Sequence, residues 1–183
     1  MDRFQKRHGL RFRSIAGESA AVDDNVVSDW RATRLQSLLE EYEPANIFNV
    51  DETALFYMLL PSKTLALAGD SCSGGKVSKQ RITVLVGANM DGSEKLELLV
   101  IGKSKAPRDF KHIKTLPVGY SSNKKSWMTQ AIFEAWIRKV DRQFNRQHRK
   151  VLVVVDNCPG HGKVDGLAAV QLEFLPPNTT AKL

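Results

Sequence analysis

Two aspartates follow apolar runs typical of buried β-strands, and they are the residues of this 183-residue chain best suited to chemistry. Asp51 follows residues 46–50, and Asp156 follows the run of valines and leucine at 151–155. A carboxylate at the end of a buried strand is costly unless it has a partner. Two of them, brought together by a sheet, would offer oxygen ligands to a divalent cation. The pattern alone favours a turn residue that bonds to nearby backbone, with Asp51 bonding toward Thr53 and Asp156 starting the Asn-Cys-Pro-Gly turn.

Two further patterns give weaker candidates. Residues 69–77 superficially resemble a phosphate-binding loop, but Lys76 comes one residue late and Val77 replaces the required Ser or Thr, so we expect a flexible loop. Cys158 and His161 are close enough in sequence for a nucleophile and its base. The Pro-Gly between them favours a turn instead, and His161 could approach the cation site without touching the cation.

Composition limits the class of protein. The chain has 42% hydrophobic and 26% charged residues, which is typical of a globular protein. No apolar stretch approaches the ~20 residues that cross a bilayer, and the first residues lack the apolar core of a secretory signal. Two cysteines do not make a disulfide framework or a zinc pattern, so we expect a reducing compartment, cytosol or nucleus.

Positive charge indicates a polyanionic partner. The net charge is +7, and positive residues concentrate in three clusters. Any one cluster could be only a solvated surface, but three in one small chain favour contacts with phosphate groups. The clusters are Arg3, Lys6, Arg7, Arg11 and Arg13; Lys103, Lys105, Arg108, Lys111 and Lys114; and Arg138, Lys139, Arg142, Arg146, Arg149 and Lys150.

Two helices are predicted to flank the aspartate strands, after a short basic helical fragment and a linker at residues 16–19. Ser28 can cap the first helix, and Pro44 ends it. Thr129 can cap the second, longer helix. Their apolar positions follow helical spacing and predict packing faces: Leu35, Leu38, Leu39 and Tyr42 in the first, and Phe133, Trp136, Ile137, Val140 and Phe144 in the second.

The strands predict one sheet. Residues 81–89 and 95–101 form a hairpin around Asp91-Gly92, which makes Asp91 a turn residue. A basic loop and the second helix then lead to the strand at 151–155, and a last short strand covers 170–175. A hairpin joined through a helix to a buried parallel strand predicts a mixed α/β fold.

The order and spacing of seven segments resemble the pogo/Tigger-type transposases of the mariner superfamily, whose relatives include jerky and centromere protein B. The resemblance covers nearly the whole chain. The segments are residues 49–53 (NVDET), 78–85 (SKQRITVL), 95–96 (KL), 100–104 (VIGKS), 107–111 (PRDFK), 154–161 (VVDNCPGH) and 174–180 (FLPPNTT).

This resemblance implies an RNase H-like fold and an acidic triad that holds two Mg²⁺ or Mn²⁺ ions for phosphodiester cleavage. Asp51 and Asp156 match the first two members of the triad. The family's third acidic residue follows the PPNTT segment by a few residues, whereas this sequence ends at Leu183. We expect neither Glu173 nor Asp165 to substitute for it. We also expect the absent following helix to leave one sheet face bare unless another chain, such as a second copy, covers it.

The resemblance also divides the chain into two parts. Residues 1–25 resemble the closing helix of a centromere-protein-B-type helix-turn-helix domain followed by a linker, and residues 26–183 resemble the DDE endonuclease domain. We therefore expect a nuclear DNA-binding protein without catalysis in this form. The alternative is part of an active metal-dependent transposase. The residues expected to contact the DNA backbone are Arg3, Lys6, Arg7, Arg11, Lys103, Lys105 and Arg108.

Overall fold

A computed structural model describes residues 2–8, 23–59, 80–177 and 179. Helix α1 (Asp2–Arg7) contains the predicted basic fragment. The expected linker at 16–19, the expected loop at 69–77 and Arg11 lie outside the described residues. Among the residues described, no helix combines the length and apolar character needed to span a bilayer.

Six strands form one mixed sheet, which confirms the predicted α/β class. Their order across the sheet is β4-β3-β2-β1-β5-β6. The strands are β1 (Ile47–Leu55), β2 (Ile82–Asn89), β3 (Leu99–Gly102), β4 (Gly119–Ser122), β5 (Val151–Val155) and β6 (Val170–Phe174). Strand β4 was not predicted, because its residues lie in a polar segment without the apolar alternation that indicates a strand. It pairs in parallel with β3 at the sheet edge.

The predicted hairpin joins β2 to β3 through the expected turn. Asp91 Oδ1 accepts a hydrogen bond from the Ser93 backbone N–H at 3.0 Å, and Gly92 has a positive φ of 74°. The second strand is shorter than predicted. Lys95 forms only an isolated bridge with Ala88, and regular pairing begins at Leu99.

Strand β1 corrects the expectation that Asp51 ends its strand. β1 continues to Leu55 because β2 pairs with it antiparallel as far as the pair Leu55 and Ile82. On its other edge, β1 pairs in parallel with β5 only from Ile47 to Asn49. At Asp51, β1 is therefore still paired with β2 on one side but is no longer paired with β5 on the other.

Helix α4 (Gln130–Arg146) covers one face of the sheet. Thr129 caps it, with Oγ1 accepting from the Ile132 N–H at 3.4 Å, as predicted. The five predicted apolar residues of α4 are all buried, in one cluster with sheet residues that include Phe48 and Val153. Two buried aromatic rings, Phe48 and Phe144, meet at 5.2 Å between centroids.

The opposite face of the sheet packs against the first helical segment. That segment consists of α2 (Asp24–Trp30), a π-helical turn (Arg31–Leu35) and α3 (Gln36–Glu41). Ser28 lies inside α2 and is not its cap, because Asp23 accepts from the Asn25 N–H at 2.9 Å and starts the helix earlier. Leu38 packs in a small core with Ile47 and Leu152.

A buried carboxylate holds the start of β6 against α4. Asp141 Oδ1 accepts from the backbone N–H groups of Ala169 at 2.7 Å and Val170 at 2.9 Å. Burial alone would raise the pKa of Asp141, but these backbone hydrogen bonds outweigh burial and hold that pKa below its usual range. The ionised form is therefore favoured in the folded state.

We predict that Asp141→Ala lowers the free energy of unfolding by about 1–3 kcal/mol, because two buried N–H groups lose their acceptor. Because the folded-state pKa is depressed, the contribution of the ionised group is present above the unfolded-state pKa of about 3.9 and is lost as pH falls through the folded-state value. The stability gap between wild type and Asp141→Asn should therefore narrow in acid. Chemical denaturation at several pH values measures it, with the exposed Asp109→Asn as control.

Candidate metal centre

The sheet brings Asp51 and Asp156 together. The parallel pairing of β1 with β5 ends at the pair Asn49 and Val154, and Asp51 and Asp156 each follow two residues later. Neighbouring strands lie ~4.8 Å apart. Side chains alternate between faces along a strand, so Asp51 falls on the face of Ile47, whereas Asp156 follows the end of β5 directly. The two carboxylates are close enough for the charge of Asp156 to act on Asp51.

The electrostatics of Asp51 reflect this proximity. Partial desolvation is the largest influence and raises the pKa of Asp51, and the negative charge of Asp156 raises it further. A hydrogen bond from the Glu52 N–H to Asp51 Oδ1, at 2.7 Å, acts in the opposite direction. Two mutually repelling carboxylates with hard oxygen donors suit a divalent cation, which would neutralise that repulsion.

Asp156 is held by the turn that follows β5. Its Oδ1 accepts from the Cys158 N–H at 3.3 Å and lies 2.6 Å from His161 Nδ1. The predicted turn from Cys158 to His161 is confirmed, since the His161 N–H donates to the Cys158 carbonyl at 3.0 Å. Asp156 therefore makes the Asx-type contact that the turn interpretation predicts, and it also lies near Asp51.

His161 connects the carboxylate of Asp156 to a third acidic residue, Glu52. The His161 side chain is completely buried, and its Nε2 lies 2.7 Å from Glu52 Oε1. Its ring packs on Phe133, with 4.6 Å between centroids. Burial lowers the pKa of His161, but the hydrogen bond and charge of Glu52, together with Asp156, outweigh burial and raise the pKa overall.

Sequence reasoning placed His161 near the site but missed its partner Glu52, which lies 109 residues away. The available signal was the Asp-Glu pair itself. Adjacent strand residues point to opposite faces, so Glu52 points to the side of α4 while Asp51 points to the other side. The histidine turn reaches Glu52 beyond the end of β5.

The Glu52, Cys158 and His161 side chains form a cluster whose donor atoms all lie within 4.8 Å of one another. Burial raises the pKa of the Cys158 thiol, so the thiol is neutral near pH 7. Both nitrogens of His161 already face carboxylate oxygens. The cluster is therefore a poor soft-metal site, and a neutral Cys158 is a poor nucleophile.

Glu173, one of the two acidic residues considered as substitutes for the third ligand, is bound elsewhere. Its two carboxylate oxygens accept from Arg34 Nε at 2.9 Å and Nη2 at 2.5 Å. Asp165, the other, is exposed in the loop before β6, and its backbone carbonyl accepts from Arg138 at 3.3 Å.

The predicted DNA-contacting residues that the structure describes are all exposed. Arg3, Lys6 and Arg7 lie on α1, and Arg108 begins a short 3₁₀-helix, Arg108–Phe110. Lys103 and Lys105 follow β3, which runs in the same direction as β1 because each is antiparallel to β2. The loop after β3 therefore lies at the same end of the sheet as Asp51 and the end of β1.

The third basic cluster is largely engaged within the fold. Arg149 bonds to Glu94 at 2.7 Å and to Asn46 at 2.9 Å. Arg138 pairs with Glu134 on α4, and Lys139 pairs with Glu97. These pairs make the cluster a weaker candidate for phosphate contacts than the loop after β3.

Residues 79–183, more than half of the chain, match the family model described as DDE superfamily endonuclease. The chain belongs to this family. Asp156 lies inside the matched range, and Asp51 precedes it.

Curated relatives confirm the predicted resemblance to Tigger-type proteins. The mouse Tigger transposable element-derived protein 4 is 48% identical over 176 residues, which covers 96% of this chain and 34% of that protein. The human Jerky protein homolog is 34% identical over 98% of this chain and 34% of that protein, and human Major centromere autoantigen B is 32% identical over 100% of this chain and 34% of that protein. The chain spans about a third of the length of these relatives.

A solved structure confirms the RNase H-like fold. The Mos1 transposase paired-end complex with left transposon end superposes with a TM-score of 0.50 at 12% identity, over 88% of this chain and 44% of that one. At this identity the likeness concerns the fold alone. In the sheet of this chain, β1 lies between the hairpin strand β2 and the parallel strand β5.

We predict that Glu52→Ala lowers the free energy of unfolding by about 1–3 kcal/mol, because the buried Nε2 of His161 loses its partner. Glu52→Gln should cost less, since its amide oxygen can still accept a hydrogen bond. Chemical denaturation measures both variants, with the exposed Glu40→Ala on α3 as control. Equal stability of Glu52→Ala and Glu40→Ala would contradict the prediction.

Proposed function

We propose that this chain is a transposase-derived DNA-binding protein in which Asp51 and Asp156 are two ligands of a divalent cation. The proposal is supported by the position of both carboxylates two residues beyond the last pair of β1 with β5, close enough for the charge of Asp156 to act on Asp51. The cation is Mg²⁺ or Mn²⁺, both of which accept carboxylate oxygens. When bound in such a site, it activates an attacking water or 3′-hydroxyl and stabilises the leaving oxygen of a phosphodiester.

The chain's own residues prepare these ligands. Asp51 is oriented by the Glu52 N–H, and Asp156 by the Cys158 N–H and the buried His161. Each of these contacts involves the Oδ1 atom. Orientation before binding lowers the ordering cost of a ligand.

We further propose that these 183 residues bind DNA without cleaving it. A two-cation centre needs more carboxylates than Asp51 and Asp156 supply. Glu173 is committed to Arg34 and Asp165 lies in the loop before β6. The alternative is an active metal-dependent endonuclease, in which these residues form part of a longer protein with a third acidic ligand. Retention of both aspartates and their supporting contacts favours that alternative.

DNA and a nuclear location complete the proposal. The net charge of +7 and the exposed Lys103, Lys105 and Arg108 support contacts with phosphate groups. One relative is named as a centromere autoantigen, and the superposed Mos1 protein is in a complex with a transposon end. Residues 1–25, as a helix-turn-helix remnant, would add Arg3, Lys6, Arg7 and Arg11 to the phosphate contacts without base-specific readout.

We predict that the protein binds Mn²⁺ and that Asp51→Asn and Asp156→Asn each weaken binding at least tenfold, about 1.4 kcal/mol. The reason is that an amide oxygen lacks the charge that offsets the desolvation of the cation. Isothermal titration calorimetry measures the affinities, with Asp109→Asn as a control for loss of one exposed carboxylate. Unchanged affinity in both variants would contradict the proposed ligands.

A nicking assay with supercoiled DNA and Mg²⁺ or Mn²⁺ separates binding from catalysis. We expect no cleavage above the background of the double variant Asp51→Asn/Asp156→Asn. Metal-dependent nicking that both single substitutions abolish would overturn the non-catalytic proposal and establish the active endonuclease.

We predict salt-sensitive, sequence-independent binding to duplex DNA. Replacing Lys103, Lys105 and Arg108 with alanine should reduce the slope of log K against log salt by up to about 3, since each lost phosphate contact removes about 0.9. Fluorescence anisotropy measures the slope. The matched control removes three exposed positive charges of the third cluster, Arg142, Arg146 and Lys150. An equal change in both triple variants would show that only net charge matters.

A further inference from the structure

Trp127 is a large aromatic residue held outside the core by a hydrogen-bonded backbone. It is 56% exposed, in the segment between β4 and α4. The Asn123 side chain fixes that segment, since Nδ2 donates to the Trp127 carbonyl at 2.6 Å and Oδ1 accepts from the Trp127 N–H at 3.2 Å. The preceding residue, Ser126, is buried, and its carbonyl accepts from Thr83 Oγ1 at 2.6 Å. The backbone is anchored while the indole ring remains accessible.

A guanidinium group accompanies the ring. The Arg81 guanidinium lies over the indole at 4.5 Å from the ring centroid, within the range of a cation–π contact. The Arg81 guanidinium covers one side of the indole ring, so the solvent-exposed area of Trp127 belongs to the rest of the ring. Lys124 and Lys125 are both exposed and precede Trp127 by three and two residues, respectively. An accessible aromatic ring is thus accompanied by three positive charges.

Trp127 lies at the same end of the sheet as the two aspartates, the end where β1, β3, β4 and β5 terminate. β4 is parallel to β3, and β3 runs in the same direction as β1 and β5. The segment after β4 therefore leaves the sheet at the same end as Asp156, which follows β5. Packing closes the gap between the two segments. A Cβ on Gly160 would lie 3.4 Å from Met128 Cγ, which places the residue after Trp127 against the turn that holds Asp156.

We propose that Trp127 and Arg81 form a stacking platform for one unpaired base of a single DNA strand, whose backbone passes Lys124 and Lys125 toward Asp51 and Asp156. This inference rests on the proposed DNA binding. Aromatic rings with nearby positive charges bind single strands by stacking on bases and by attracting phosphates. The occupant is an unpaired base because bases inside a duplex are already stacked on both faces.

Stacking and phosphate contacts leave different signatures in a salt titration. Stacking releases no counterions, so Trp127→Ala should weaken binding of a labelled oligo(dT) about tenfold while the slope of log K against log salt stays unchanged. Trp127→Phe should bind within about twofold of wild type, because it retains an aromatic face. The double variant Lys124→Ala/Lys125→Ala should instead reduce the slope by up to about 1.4.

Intrinsic fluorescence gives an independent readout that does not depend on the alanine variant being well folded. Oligo(dT) should quench the wild-type emission through Trp127, whereas Trp136 is buried at 7% exposure and Trp30 is partly buried against the small core of Leu38. Trp127→Phe should lose most of that quenching and still bind. Quenching that persists in Trp127→Phe would overturn the platform.

The remaining outcomes separate this inference from the proposed function. If wild type binds duplex DNA with salt dependence but does not bind oligo(dT), the platform is wrong and the proposed DNA binding stands. If it binds neither, both are wrong. If Trp127→Ala weakens duplex and single-strand binding by the same factor, Trp127 does not stack on an unpaired base. The same conclusion follows if the substitution weakens neither kind of binding.

Discussion

The parallel pairing of β1 with β5 is the constraint on which the site depends. Only three residue pairs, from Ile47 with Leu152 to Asn49 with Val154, fix this register. A slip of one residue would send every side chain of one strand to the opposite face. Register is held by packing on both faces, with Phe48 and Val153 in the core beneath α4 and Ile47 and Leu152 in the core beneath α3. Two apolar cores therefore decide where two carboxylates meet.

The buried histidine joins this packing to the electrostatics of the site. His161 lies against Phe133 of α4 and touches carboxylates from two strands, Glu52 on β1 and Asp156 beyond β5. A buried imidazole without these partners would cost free energy. The same contacts that satisfy His161 orient Asp156 beside Asp51. Asp156 is thus linked through His161 to Glu52 on β1.

Local patterns in the sequence predicted much of this architecture, and nonlocal contacts account for what was missed. Helix α4, its Thr129 cap and the Asp91-Gly92 turn follow from short-range spacing and turn chemistry. β4 escaped prediction because an edge strand of Gly, Tyr and Ser is stabilised by pairing with β3 rather than by burial. The end of β1 was misjudged because β2 extends the pairing past Asp51. Glu52 and Trp127 were missed because their partners, His161 and Arg81, are distant in sequence and contact them only in the folded structure.

The most direct test of the account is the position of Mn²⁺ in crystals of the protein soaked with that ion, located by anomalous scattering. The account predicts one peak coordinated by a carboxylate oxygen from Asp51 and one from Asp156. His161 should remain bonded to Asp156 and should not touch the ion. A peak bound instead by Glu52, Cys158 and His161, or no peak between the two aspartates at saturating Mn²⁺, would contradict it.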